Sequence, residues 1–169
     1  MHQKQLYVDY LTIDPETMDQ AESAALRRIS RYREKINLLR RLTALNGRYI
    51  TKRLDDELQA MFPEYSHVFV GKTGTYSTTI SVHFCVKGQD WIAVEIASLD
   101  NRRASLTKIN SQIEALEKEI AEYQTAMQNF RENAAQWNNL MNYAATIYGP
   151  LYSLLINCKD YRAEHICRL

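Results

Sequence analysis

Apolar residues recur at helical spacing through most of the second half of the chain. From Leu99 to Tyr148 the gaps between them alternate between three and four, and Arg102 is the one polar residue in the series. This a/d repeat is the pattern of one long helix with a narrow apolar seam, as in a coiled coil. At 1.5 Å per residue, the predicted helix spans roughly 75 Å.

A second helix-period pattern occupies the first third of the chain. Asp14 and Pro15 predict its start, because an acidic residue caps the free N–H groups and proline suits the first helical position. An apolar seam then runs from Met18 to Leu45, and Asn46-Gly47 predicts the end of the helix. We refer to this element as helix one.

The middle of the chain predicts a short helix followed by three strands. The helix runs from about Tyr49 to Phe62, and the strands are expected at 66–70, 76–86 and 91–96. In the second strand apolar and polar residues alternate strictly, which indicates an antiparallel meander with one solvent-exposed face. The polar face of that strand carries Ser77, Thr79, Ser81, His83, Cys85 and Lys87.

Together these elements predict an α+β fold. Its core is a long antiparallel helical hairpin, coiled-coil-like, with the short helix and the three-stranded antiparallel β-meander inserted between the two long helices. We expect one domain over residues 1–169. Its parts are helix one at 15–46, a small α/β head at 48–97, the long helix at 98–148 and a C-terminal helix at 150–169.

Charges beside the two seams favour the antiparallel arrangement. Arg33 and Lys35 flank the seam of helix one, whereas Glu117 and Glu119 flank that of the long helix. Opposite charges at such positions select partner and orientation in coiled coils. Each exposed pair contributes at most about 1 kcal/mol, so these charges act on register more than on stability.

The long helix is predicted to extend beyond helix one by roughly 28 Å. The overhang carries three large side chains, Trp137, Met141 and Tyr148. Burying one such side chain contributes about 1.5–3 kcal/mol, so we expect the stripe to be covered. The cover is Leu151–Ile156, the N-terminal strand or a second copy of the chain, and we predict a homodimer through these three residues.

The near-neutral net charge of +1 hides a strong asymmetry along the chain. Residues 27–53 hold ten basic residues and one acidic residue, a net charge of +9, so the remaining residues carry −8. The hairpin brings part of this run beside the start of the long helix, at the base of the head. We call the resulting set the basic collar and predict that it binds a partner: Arg41, Arg48, Lys52, Arg53, Arg102 and Arg103. The alternative is a solvated collar balanced by Asp55, Asp56, Glu57 and Asp100.

Three other groups of residues carry weaker chemical signals. Gly71-Lys72-Thr73 is similar to the end of a phosphate-binding loop, but Ser66 replaces the required glycine and a strand follows, so we interpret it as a turn. His83 and Cys85 share a strand face, where an imidazole can activate a thiol. We interpret them as solvated sheet residues. The set Cys158, His165 and Cys167 lacks a zinc spacing and a fourth ligand.

The element order from Gly47 to about Ala115, α-β-β-β-α with Arg102-Arg103 near the last helix, resembles the double-stranded-RNA-binding domain. The resemblance implies that these two arginines occupy the place of that family's phosphate-gripping lysines. The family's paired-lysine motif and glycine–histidine loop are not recognisable here, and the last helix is much longer than the family's. The resemblance is therefore one of topology.

A chain with a predicted rod, a charged collar and no catalytic or cofactor motif favours a non-enzymatic macromolecular-binding protein. We expect a small regulator, adaptor or inhibitor of a protein or ribonucleoprotein, with a nucleic-acid-binding module as the alternative. Accessory proteins of phages and mobile elements have this character, anti-CRISPR inhibitors among them. No cofactor or membrane contact is expected. The absence of a signal peptide and the odd number of cysteines favour a cytoplasmic location.

Overall fold

Helices and a three-stranded antiparallel sheet make up the part of the chain that the computed structural model describes, residues 12–147, with side chains to 142. The protein is α+β, as predicted. None of the described helices is both long and apolar enough to cross a membrane. In chain order the elements are α1 (Pro15–Leu42), two 3-10 turns (Thr43–Leu45 and Lys52–Leu54), α2 (Asp55–Met61), β1 (His67–Gly71), β2 (Thr79–Cys85), β3 (Ile92–Ser98) and α3 (Leu106–Ile147).

Helix α1 begins where its sequence predicts. The Asp14 carboxylate accepts a hydrogen bond from the backbone N–H of Thr17 at 2.6 Å, which is the N-terminal cap. The predicted end at residue 46 is wrong, because α1 stops at Leu42 and the chain tightens into the first 3-10 turn. Gly47, with a φ of 79°, then turns the chain away.

The short helix begins later than the predicted Tyr49. Tyr49 instead pairs with Arg103 in an isolated bridge, and the N–H of Ile50 donates to the carbonyl of Arg102 at 2.7 Å. Because these bonds hold the backbone extended, helical structure starts only with the second 3-10 turn, capped by Thr51, and α2 itself starts at Asp55.

The predicted start of the long helix, residue 98, is also wrong, because the helix begins eight residues later. Residue 98 ends β3, residues 99–101 form a turn, Arg103 and Ala104 form isolated bridges, and α3 begins at Leu106. Leu99 and Arg102, the first two residues of the predicted seam, therefore lie outside the helix. Two side chains cap its free N–H groups: Asn46 accepts from Leu106 at 3.1 Å, and Ser105 accepts from Lys108 at 3.3 Å.

The three strands form the predicted meander in the order β1-β2-β3, with both pairs antiparallel. The expectation of one solvent-exposed face is wrong for the central strand. Ser81, His83 and Cys85 are buried together with the apolar residues that alternate with them. The alternation within one strand does not show which other segments cover its polar face. Here the rings of Phe69 and Trp91, from the segments on either side of β2, lie against His83.

The chain divides into two compact units, Ser30–Glu119 and the chain before and after it, which we call the sheet unit and the helical unit. In the sheet unit, the C-terminal half of α1, α2 and the start of α3 share one core with the sheet. Phe84 at its centre meets Phe62 edge-on, with ring centroids 4.8 Å apart. Arg40, next to the predicted seam of helix one, contacts Glu117 at 3.1 Å.

The helical unit has a smaller core. The Asn138 amide accepts from the N–H of Ile13 at 2.8 Å and donates to its carbonyl at 2.9 Å, and Arg131 forms a two-pronged ion pair with Glu22. Within this unit the α1 segment and the α3 segment therefore run in opposite directions. The small core consists of Ile13 and Ala134 with Met18, Phe130 and Trp137 packed against them.

The single domain over 1–169 stays a prediction.

Candidate functional site: a basic cleft in the sheet unit

Backbone pairing brings two of the basic segments of the collar together. The turn after β3 lies antiparallel to the segment after α1, through bonds from Ala104 to the Arg48 carbonyl at 2.9 Å and from Gly47 to the Ala104 carbonyl at 2.8 Å. This pairing places Arg102 and Arg103 beside the chain that leads to Lys52. The predicted juxtaposition is thus made by extended backbone before α3 begins, and not by the first turn of a helix.

Two of the six collar residues are already neutralised. The Arg41 guanidinium binds Glu64 and the Met61 carbonyl, and it lies 4.1 Å from the centre of the Phe62 ring. Arg48 grips Glu57 with both terminal nitrogens. These contacts hold the pKa of the Glu57 and Glu64 carboxyl groups below their usual value. Arg41 and Arg48 therefore attach α2 to its surroundings and offer a partner little net charge.

Arg102 and Arg103 are held by backbone carbonyls and leave their charge unbalanced. Arg103 donates to the Gly47 carbonyl at 3.0 Å, and the Nε of Arg102 donates to the Ile50 carbonyl at 3.3 Å. Within residues 12–147 no hydrogen bond reaches the two terminal nitrogens of Arg102. The φ of Arg102 is 56°, in the left-handed region that a non-glycine residue rarely adopts.

A cleft of about 210 Å³ lies between this turn, the Lys52 segment and the β1–β2 turn. Its lining includes three basic side chains and no acidic residue, and its base is aliphatic. We call it the basic cleft. Its lining residues are Lys52, Val70, Gly71, Lys72, Ile80, Leu99 and Arg102.

Lys72 also lines this site, although its sequence pattern predicts only a turn. The strand register explains its position, since Gly71 pairs with Ser81 and Thr79 pairs with Ser98. The β1–β2 turn and the end of β3 therefore lie at the same end of the sheet. The meander topology was the signal that could have placed Lys72 near Arg102. Arg53 is exposed and does not line the cleft.

The thiol–imidazole candidate on β2 lacks an activated nucleophile. Burial raises the pKa of the Cys85 thiol, and the thiolate is the reactive form. Burial also lowers the pKa of His83. This effect is larger than the opposing effect of the Gly71 and Lys72 backbone, which favours the charged imidazole and raises the pKa. The His83 Nε2 makes no hydrogen bond of ordinary geometry with the described residues, and its ring stacks on Phe69 at 4.8 Å.

The lowered pKa of His83 predicts a loss of stability in mild acid. The unfolded chain keeps the ordinary value of 6.5, so it binds a proton more readily than the folded chain as the pH falls below that value. Stability is therefore complete above about pH 6.5 and declines below it. The His83→Phe variant keeps the stack on Phe69 and removes this titration. Urea midpoints at about pH 7.5 and about pH 5.5 should differ less for the variant than for the wild type; equal differences would contradict the assignment.

No group of three His, Cys, Asp or Glu side chains suited to a metal occurs among the described residues. The candidate set of Cys158, His165 and Cys167 lies outside them.

The predicted dimer residues have the following places. Met141 is buried within the chain, with 1% of its surface exposed, and Trp137 is half-buried against the small core of the helical unit. Met141 thus offers no free surface to a second copy. Tyr148 lies outside the described residues, so the homodimer stays a prediction.

The topological resemblance to the double-stranded-RNA-binding domain is weakened at the two arginines. In the resemblance they open the last helix, whereas here they lie in the bridged segment that ends two residues before α3. Comparison with known proteins adds no relative: no protein-family model, no curated protein and no solved structure matches the chain.

Proposed function

We propose that this chain is a non-enzymatic macromolecular-binding protein, a regulator, adaptor or inhibitor that binds a protein or ribonucleoprotein partner at the basic cleft. The observation that carries the proposal is the basic cleft itself, where Lys52, Lys72 and Arg102 surround an aliphatic base with no lining acid. Unbalanced cations beside apolar surface suit an interface that pairs charge at its rim and excludes water at its centre.

A nucleic-acid partner is the second candidate. The free terminal nitrogens of Arg102 form a planar fork that fits a phosphate, and Arg53 and Arg103 add exposed positive charge nearby. The lining of the cleft is aliphatic, however, and offers no ring on which a base can stack. The cleft therefore supports a protein surface better than a single-stranded nucleic acid. In the proposed setting, the cytoplasm, the protein acts as an accessory protein of a phage or mobile element, an anti-CRISPR inhibitor being one such type.

We also propose that α1 and α3 form the antiparallel coiled-coil-like hairpin expected from the two seams. Within the helical unit, the contacts Ile13–Asn138 and Glu22–Arg131 support opposite chain directions. Within the sheet unit, the ion pair Arg40–Glu117 supports the same direction.

The test of the proposed function compares capture by the wild type and by a variant with Lys52, Lys72 and Arg102 changed to glutamine. Each immobilised protein is exposed to a nuclease-treated lysate of the native host, and a variant with Arg27, Arg33 and Arg40 changed to glutamine carries the same loss of charge on α1. We expect one set of proteins to be retained by the wild type and the α1 variant and lost from the cleft variant.

Salt separates the two candidate partners. Phosphate contacts release counterions, so a nucleic-acid complex loses roughly 10³-fold or more in affinity between low and physiological salt when several phosphates are bound. A protein interface with an apolar centre loses far less. Equal retention by the cleft variant and the wild type would contradict the proposed function. Proteins that the wild type retains from an untreated lysate but not from the nuclease-treated one would favour the second candidate.

A further inference from the structure

We infer that the basic cleft recognises an acidic segment of a protein, one aliphatic side chain of which enters the cleft while neighbouring carboxylates meet its three cations. The inference rests on the proposed function and names the chemistry of the partner. It follows from three properties of the cleft: its charge, its lining and the fixed position of Arg102.

The charge of the cleft calls for an anionic occupant. Lys52 and Lys72 are exposed, and neither forms an ion pair or side-chain hydrogen bond within the described residues. The nearby carboxylate of Asp55 is turned to the backbone, where it accepts from the Val70 N–H at 2.8 Å, and it does not line the cleft. The three cations thus have no acidic partner among the residues that the structure describes, and a segment rich in carboxylates complements them.

The lining of the cleft requires more than charge from its occupant. Val70 and Ile80 form the base, and the half-buried Leu99 adds a further apolar side chain. The stems of Lys52 and Lys72 extend this surface, because a lysine buries its methylene groups while its ammonium group stays in water. An aliphatic side chain of the partner displaces water from these groups, whereas a phosphate or a sugar leaves them unmatched.

Arg102 is held in place before any partner arrives. Its N–H donates to the Ser98 carbonyl at 2.9 Å, its carbonyl accepts from Ile50 at 2.7 Å, and its Nε donates to the Ile50 carbonyl. The two terminal nitrogens make no hydrogen bond with the described residues, and they form a planar fork that matches a carboxylate. The φ of 56° suits glycine better than arginine, so the backbone conformation alone does not favour arginine at this position. The guanidinium contacts the Ile50 carbonyl through Nε, and its two remaining nitrogens suit a carboxylate.

The test uses short peptides and the full chain labelled with ¹⁵N. The probe is the peptide GDELEDG, and its matched control GDESEDG keeps every charge and replaces the leucine by serine. Titration at low salt, followed by amide chemical shifts, should give saturable shifts at Val70, Leu99 and Arg102. The serine peptide should bind about tenfold more weakly, since it lacks one buried aliphatic side chain.

Variants of the protein separate recognition from folding. Arg102→Gly relieves the strain of the left-handed backbone but loses the hydrogen bond to the Ile50 carbonyl, so its melting temperature should stay close to that of the wild type. Its affinity for GDELEDG should fall about tenfold, as for a lost charged hydrogen-bonding pair. Leu99→Ala tests the apolar lining, and Arg33→Gln, an exposed charge on α1 that does not line the cleft, should leave the affinity unchanged.

Several results would overturn the inference. They are shifts that do not saturate, equal binding of the two peptides, full affinity in Arg102→Gly, and a thymidine oligonucleotide that binds the cleft while GDELEDG does not. The proposed function has its own readout, because loss of the captured proteins from the cleft variant stands whether or not the peptide binds. Equal retention by that variant contradicts the proposed function even if GDELEDG binds.

Discussion

Replacing Phe84 by alanine should lower the free energy of unfolding by about 3–5 kcal/mol, the largest stability effect we expect from a single substitution in this protein. Phe84 has no exposed surface and lies at the centre of the core of the sheet unit. Its ring meets Phe62 and Tyr65 edge-on, at centroid distances of 4.8 and 5.1 Å. Truncation removes both contacts and leaves a cavity that packed neighbours fill only in part.

Urea unfolding followed by far-ultraviolet circular dichroism measures this loss. Tyr76→Ala is the matched control, because it also truncates an aromatic side chain of the sheet region but at a position that is 96% exposed. Its unfolding free energy should stay within about 0.5 kcal/mol of the wild type. Similar midpoints for the two variants would show that Phe84 does not occupy the core described above.

Reversing the charge of Arg102 and Arg103 to glutamate should weaken binding of the native partner by about a hundredfold or more. Both side chains are fixed beside the basic cleft by carbonyls of the opposite segment, so the substitution places two negative charges where the partner is expected to be negative. The helical circular-dichroism signal and the melting temperature should change little, since the variant loses two side-chain hydrogen bonds, one exposed and one part-buried, and keeps the backbone bonds of this segment.

The control for this variant reverses Arg27 and Arg33, which are exposed on α1 and do not line the cleft. It makes the same change in net charge, so long-range electrostatics alone would weaken both variants equally. Undiminished binding by the Arg102/Arg103 variant would make these residues ordinary surface. If the melting temperature falls sharply instead, Arg102→Gly provides the comparison, because it removes one of the charges and keeps the backbone conformation.

The elements of the fold follow from local patterns in the sequence. The Asp14 cap, the start of α1 and the three strands are where spacing and turn residues predict them. Such features depend on neighbours a few residues away, which the sequence displays directly. The excess of positive charge between residues 27 and 53 is equally a property of the sequence.

The ends of the helices and the composition of the basic cleft depend on contacts between residues that are far apart in the sequence. The seam pattern continues through Leu99 and Arg102, yet α3 starts at Leu106, because bonds that join Gly47, Arg48 and Ile50 to Arg102 and Ala104 hold the chain outside the helix. Backbone groups satisfied by a partner some fifty residues away leave no trace in hydrophobic spacing.

The composition of the site shows the same division. Sequence alone identified Lys52 and Arg102 as basic residues near a common end of the head, but it could not show that Glu57 and Glu64 neutralise Arg48 and Arg41. An ion pair depends on the direction of two side chains, which only packing decides.

Lys72 lines the cleft because of the register between β1 and β2. The polar face of β2 is buried by rings from adjacent segments. The sequence by itself determined the elements and the sign of the charge, whereas the tertiary structure decided which charges remain unpaired, because pairing and burial depend on distance in space and not along the chain.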